Sequence, residues 1–92
     1  MDLNTNEIYS DLRKTKNELL KRISNENCSS LVRPYIEEEL TDIETAIKKI
    51  ENGTFGTCEL SGELMPMELL QIIPTLKTID DCKTVSYVIS QH

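Results

Sequence analysis

The chain has no tryptophan, one phenylalanine (Phe55) and three tyrosines (Tyr9, Tyr35, Tyr87) in 92 residues. Little ring surface is available to a core, and a chain this short buries only roughly 60–65% of the surface its unfolded form exposes. There is one histidine, His92, so no second partner exists for a Cys–His nucleophile pair. No Gly-rich phosphate loop and no His-Glu-x-x-His helix occurs. Basic residues are in the minority: ten Lys and Arg stand against sixteen Asp and Glu, for a net charge of −6. That balance argues against direct binding of a nucleic-acid backbone, which needs a basic face. It fits a partner that carries positive charge. No apolar run approaches the ~20 residues of a membrane span. The opening MDLNTNEIYSDLRK is polar, without the apolar stretch of a secretory signal. The expectation is a cytoplasmic protein with reduced thiols, no membrane contact and no enzymatic activity. Three cysteines are an odd count and cannot close a disulfide framework by themselves.

What the chain does have is helical periodicity. Ile8, Leu12, Leu19 and Ile23 form one stripe, interrupted at Lys16, and Asn4, Thr5 or Asn6 is placed to cap its start with Glu7 in the first turn. The stripe fades at Ser24-Asn25-Glu26-Asn27, which is turn chemistry. A second helix begins between Ser30 and Arg33, because Pro34 is tolerated only in a first turn. Ile36, Leu40, Ile43, Ile47 and Ile50 follow the spacing of a coiled-coil seam, and Asn52-Gly53 supplies the stop. Glu37, Glu38 and Glu39 are consecutive, so they spread around the helix as a solvated face rather than pairing for acid–base work. Two such helices joined by a short polar turn pack antiparallel, each burying its stripe against the other.

Beyond Gly53 the character changes. Residues 54–65 hold short β-prone runs and a Ser61-Gly62 turn, predicting a small knuckle. Pro66 opens a short helix through Met67, Leu69, Leu70 and Ile73, ended by Pro74. Asp80 or Asp81 is placed to cap a last helix carrying Ile79, Cys82, Val85 and Ile89, although its Thr, Val and Tyr content is β-prone. The fold class is thus mainly α: an antiparallel helical hairpin over residues 1–52, then a degenerate finger-like knuckle with a C-terminal helix over 53–92.

The stretches ENGTFGTCELSGELMP (51–66) and LLQIIPTLKTIDDCKT (69–84) resemble the DksA/TraR family, whose members carry a four-cysteine zinc finger at the base of a helical hairpin. The finger pattern is Cys-x2-Cys-Gly, a longer spacer, then Cys-x2-Cys. Laid on this chain, its ligand positions fall on Cys58, Ser61 (followed by the expected Gly62), Ile79 and Cys82. The Phe-Gly before Cys58, the Ile-Pro-Thr before the second pair and the Lys-Thr after it match as well. The Cys-Glu-Leu-Ser-Gly wording is most similar to the degenerate-finger members associated with general stress and sporulation.

Structural zinc wants four strong ligands, and here two positions hold thiols, one a Ser and one an Ile. No metal ligand set and no cofactor are therefore expected. Ile79 is expected to fill with carbon the space a metal would take, within a cluster of Phe55, Leu60, Leu64, Leu70, Ile73, Ile79 and Val85. The resemblance places the sulfurs of Cys58 and Cys82 near each other; that proximity allows a disulfide, and a cytosolic setting favours two reduced, partly buried thiols over it. Cys28 lies in the hairpin turn, far from both.

The resemblance implies a regulator that binds RNA polymerase through the hairpin, entering its secondary channel with residues of the tip. The tip positions here are Asn25, Glu26 and Asn27, and Glu26 is the one acid among them. The alternative is a non-catalytic stress- or sporulation-associated interaction protein that keeps the scaffold and uses another surface, including pairing with a second copy of the chain as a homodimer.

Overall fold

The computed structural model describes residues 3–25 and 27–90, with side chains from Thr5 to Tyr87. Four helices follow one another: α1 (Leu3–Ser24), α2 (Arg33–Asn52), α3 (Met67–Ile72) and α4 (Ile79–Ser90). Strand pairing among the described residues is a single antiparallel bridge between Thr57 and Leu64.

Helices α1 and α2 form the antiparallel hairpin. Ile8, Leu12 and Leu19 of α1 are buried against Ile36, Leu40, Ile43, Ala46, Ile47 and Ile50 of α2, with Ile23 half-buried at the tip end. Full burial of an aliphatic side chain contributes about 1.5–3 kcal/mol, so this seam is the main source of hairpin stability. Polar contacts fix its register at both ends. The Tyr9 hydroxyl donates to Glu51 Oε2 at 3.0 Å near the base. Arg33 Nη2 donates to the Ile23 carbonyl at 2.8 Å near the tip. Lys16, where the α1 stripe breaks, reaches Glu44 at 4.0 Å. Ala46 joins the seam between the expected Ile43 and Ile47.

The ends of α2 follow the sequence. Pro34 lies in its first turn and Gly53 ends it with φ 78°, its N–H reaching the Ile50 carbonyl. The Thr54 N–H closes on the Lys49 carbonyl at 2.8 Å, so both orphan carbonyls are satisfied. The start of α1 differs from expectation. The helix is already formed at Leu3, so Asn4, Thr5 and Asn6 lie inside it and Glu7 falls beyond the first turn.

After Gly53 the chain turns through the knuckle and returns along α3 to α4. Here Cys58, Met65, Leu70, Leu76 and Cys82 make a second buried cluster, flanked by the half-buried Phe55, Ile73, Ile79 and Val85. Leu60 and Leu64 do not belong to it; they are 81% and 80% exposed. Successive residues of an extended segment point to opposite faces. Met65 takes the inward place, so Leu64, paired with Thr57, faces out, and Leu60 rides the turn between Cys58 and Gly62. Met65 and Leu76 fill the places that Leu60 and Leu64 were expected to take.

Two ion pairs hold the knuckle against α2: Lys49 Nζ to Glu59 Oε1 at 2.7 Å, and Lys77 Nζ to Asp42 Oδ1 at 2.8 Å. Phe55 and Met67 pack on both clusters.

Candidate functional site

Two places carry the residues singled out in the sequence: the hairpin tip and the cysteine knuckle.

At the tip, α1 ends with the Ser24 hydroxyl donating to the Leu20 carbonyl at 2.8 Å. The Asn25 side-chain oxygen accepts the Asn27 N–H at 2.9 Å, and the Cys28 N–H returns to the Asn25 carbonyl at 3.0 Å. This Asx turn reverses the chain in few residues. Asn25 and Asn27 are exposed, as a docking tip requires; Glu26 lies outside the described residues. Ser29 opens the turn that leads into α2, its Oγ accepting the Leu31 N–H at 3.1 Å. Leu31, Val32 and Tyr35 stand exposed beside the tip. The Arg33 guanidinium, which caps the end of α1 through the Ile23 carbonyl, also lies 3.8 Å from Glu37. Cys28 is half-buried against the end of the hairpin core, at the opposite end of the hairpin from the knuckle.

In the knuckle, the structure brings Ser61 and Ile79 to the sulfur of Cys58 and buries Cys82 in the same cluster. Cys58 and Cys82 are both buried, both free thiols, and both in the same cluster. Ser61 and Ile79 each present a backbone N–H to Cys58 Sγ at 3.4 Å. The chain is bent to allow this by the Cys58 N–H bonding to the Glu63 carbonyl at 2.8 Å and the Gly62 N–H to the Cys58 carbonyl at 2.9 Å. The Cys58 thiol is brought down to about 7, first by a hydrogen bond from the Ser61 side chain, then by the backbone N–H groups of Ser61, Ile79 and Leu60, against an opposing effect of burial. Cys82 moves the other way: burial pushes it up, helped by the nearby charges of Asp81 and Cys58.

This donor set does not fit a four-ligand zinc site. Ser61 Oγ accepts the Glu63 N–H at 3.3 Å, and Ile79 contributes a backbone N–H and carbon. Among the described residues no group of three or more His, Cys, Asp or Glu is arranged to hold a metal ion. What the knuckle retains is one thiol rich in hydrogen-bond donors and a second, protonated one in the same cluster.

The start of α4 explains how Ile79 is aimed at the sulfur. The helix opens on a capping box in which Thr78 Oγ1 accepts the Asp81 N–H at 3.1 Å, while Asp81 Oδ2 accepts the N–H groups of Thr78 and Lys77, each at 3.3 Å. Asp80 and Asp81, expected as caps, therefore sit inside the helix, and Thr78 is the cap. The Thr-x-x-Asp pattern at 78–81 was the signal for it. The role of Ser61 has no such signal, because a single serine in a turn has no spacing to read.

Comparison with known proteins finds relatives in one bacillus. The uncharacterized protein YlyA of Bacillus subtilis (strain 168) is 35% identical over 89 residues, an alignment that covers 80% of this chain and 72% of YlyA. The chain belongs to the family of YlyA. It is also similar to the uncharacterized protein YteA of the same organism, 52% identical over 42 residues, 46% of this chain and 18% of YteA. General stress protein 16O, again from B. subtilis, is 35% identical over 43 residues, 47% of this chain and 26% of that protein. The chain thus spans well under a third of YteA and of general stress protein 16O. No family model matches the chain. No solved structure matches it either. None of the helices described is long and apolar enough to cross a membrane.

Proposed function

We propose that this member of the YlyA family is a DksA/TraR-like regulator that binds bacterial RNA polymerase through its helical hairpin, without contacting DNA directly. The observation that carries this reading is the hairpin with a narrow free end. Helix α1 has 22 residues, a rod of about 33 Å at 1.5 Å per residue. The knuckle holds it at the base through Lys49–Glu59 and at mid-length through Lys77–Asp42, while Asn25 and Asn27 at the far end are exposed. A rod anchored at one end and bare at the other is suited to reach into a channel, and a net acidic chain is drawn to a basic or metal-bearing site. The test is capture of purified bacterial polymerase by the immobilised chain, followed by transcription initiation with Glu26→Ala and with Asn25→Ala/Asn27→Ala. Binding at micromolar concentration and a weaker effect of the tip variants are expected. Absence of binding at that concentration sinks the reading.

A second reading rests on the exposed Leu31, Val32 and Tyr35 beside the tip and on the similarity to general stress protein 16O. It makes the chain a stress-associated interaction protein that uses this apolar shoulder, with a partner other than polymerase or with a second copy of itself. Sedimentation separates the homodimer from the monomer. No capture of polymerase, together with a dimer that Tyr35→Ser dissociates and the Asn25 and Asn27 variants leave intact, favours this reading over the first.

A further inference from the structure

The sulfur of Cys58 is surrounded by donors that neither reading of the hairpin uses. The N–H groups of Ser61 and Ile79 lie 3.4 Å from it, and the Ser61 side chain and the Leu60 N–H add further hydrogen bonds. A neutral thiol is a weak acceptor and gains little from so many donors; a thiolate gains much. Ile79 is also the first residue of α4, a 12-residue helix, so the sulfur sits where a helix N-terminus favours negative charge.

Two further observations bear on chemistry at this sulfur. A cavity of about 210 Å³, lined by Cys58, Ser61, Thr78 and Ile79 among others, opens over it. Drug-sized ligands occupy pockets of roughly 300–1,000 Å³, so this opening is large enough for a small molecule to reach the sulfur. Cys82 lies in the same buried cluster, three residues beyond Ile79, and residues at that helical spacing share a face. The charge of Cys58 is felt at Cys82.

We propose that Cys58 is a peroxide-reactive cysteine, that Ser61 positions and activates it, and that Cys82 resolves the product as an internal disulfide. The substrate class is a small hydroperoxide, hydrogen peroxide or a short alkyl hydroperoxide. In the first step the Cys58 sulfur attacks the terminal oxygen of the hydroperoxide. The O–O bond breaks, the S–O bond forms, and the thiol proton leaves with the other oxygen as water or alcohol. Cys58 is then a sulfenic acid, oxidised by two electrons. In the second step the Cys82 sulfur attacks the Cys58 sulfur. The S–O bond breaks, the hydroxide takes the Cys82 proton and departs as water, and the disulfide forms. The net change is two thiols oxidised and one peroxide reduced. Cys28, at the far end of the hairpin, takes no part and serves as an internal reference.

The experiment uses the full chain, reduced, with one equivalent of hydrogen peroxide, followed by non-reducing peptide mapping. The expected product is monomeric, lighter by two hydrogens, and linked from Cys58 to Cys82, with Cys28 still open to alkylation. Cys82→Ala is expected to stop at the sulfenic acid, trapped on Cys58 by dimedone. Ser61 is exposed, so Ser61→Ala keeps the fold, which helical circular dichroism verifies. That variant is expected to slow oxidation of Cys58 about threefold at neutral pH relative to Cys28, because a larger thiolate fraction is partly offset by lower intrinsic nucleophilicity. Oxidation of Cys58 no faster than Cys28, a Cys28-linked dimer as the main product, or an unchanged ratio in Ser61→Ala overturns the assignment. The assay contains no polymerase, so its outcome is independent of the hairpin's partner.

Discussion

Lys77, in the loop before α4, and Asp42, in the middle of α2, meet at 2.8 Å and tie the end of the finger to the side of the hairpin. The pair is partly exposed, so its contribution is about 1 kcal/mol at most. Asp42 holds the Lys77 ammonium above the ordinary lysine range, first by the hydrogen bond and then by its charge. A group whose folded value is raised contributes fully below its unfolded value and loses that contribution as pH rises through the folded one. The stability difference between wild type and Lys77→Met is therefore expected to be constant around neutral pH and to shrink only on the alkaline side of the lysine range. Urea titrations of both proteins at several pH values measure it; a difference that falls with pH below that range contradicts the assignment.

Gly56 and Gly53 provide a paired test of the packing. Both have positive φ, 88° and 78°, where a side chain adds strain of roughly 1–2 kcal/mol. A Cβ at Gly53 meets open space, whereas one at Gly56 lies 3.3 Å from Leu70 Cδ1. Leu70 is 1% exposed, so a shift of its side chain disturbs the packed cluster around it. Gly56→Ala is expected to cost more than Gly53→Ala by about 1 kcal/mol or more, since overpacking adds to backbone strain. Equal midpoints in urea would show that Leu70 yields.

Removal of the Thr78 hydroxyl is expected to affect both stability and reactivity. Thr78→Ala loses the acceptor for the Asp81 N–H and is expected to cost about 0.5–2 kcal/mol. The same cap aims the Ile79 N–H at Cys58, so the pH midpoint for alkylation of Cys58, expected near 7 in the wild type, should rise in the variant. Serine at the same position keeps the acceptor and should restore both properties. A midpoint unaltered in Thr78→Ala would separate the cap from the sulfur.

The hairpin was legible in the sequence because its signals are local and periodic. Ile36, Leu40, Ile43, Ile47 and Ile50 state one helical face, and Gly53 states its end. The knuckle was legible only in part. Leu60 and Leu64 read as core by composition, but which residues of a short extended segment face inward depends on the pairing of Thr57 with Leu64, and a lone bridge leaves no repeat from which to infer it. Helix α4 forms despite β-prone Thr84, Val85 and Tyr87, because its cap and the docking of Cys82 outweigh intrinsic propensity. The meeting of Cys58 with Ser61 and Ile79 followed from the resemblance of spacing; the donor role of Ser61 required coordinates.

Phe55 and Met67 belong to the packing of both clusters, and this has a consequence for how the molecule opens. A knuckle that unfolded alone would strip these two side chains from the hairpin, and a hairpin that frayed at its base would strip them from the knuckle. Opening either half therefore costs contacts of the other, and amide exchange in the α2 seam and in the knuckle is expected to be coupled. Slack or tension introduced at one end is shared with the other, and the hairpin's rigidity is in that sense a property of the whole chain.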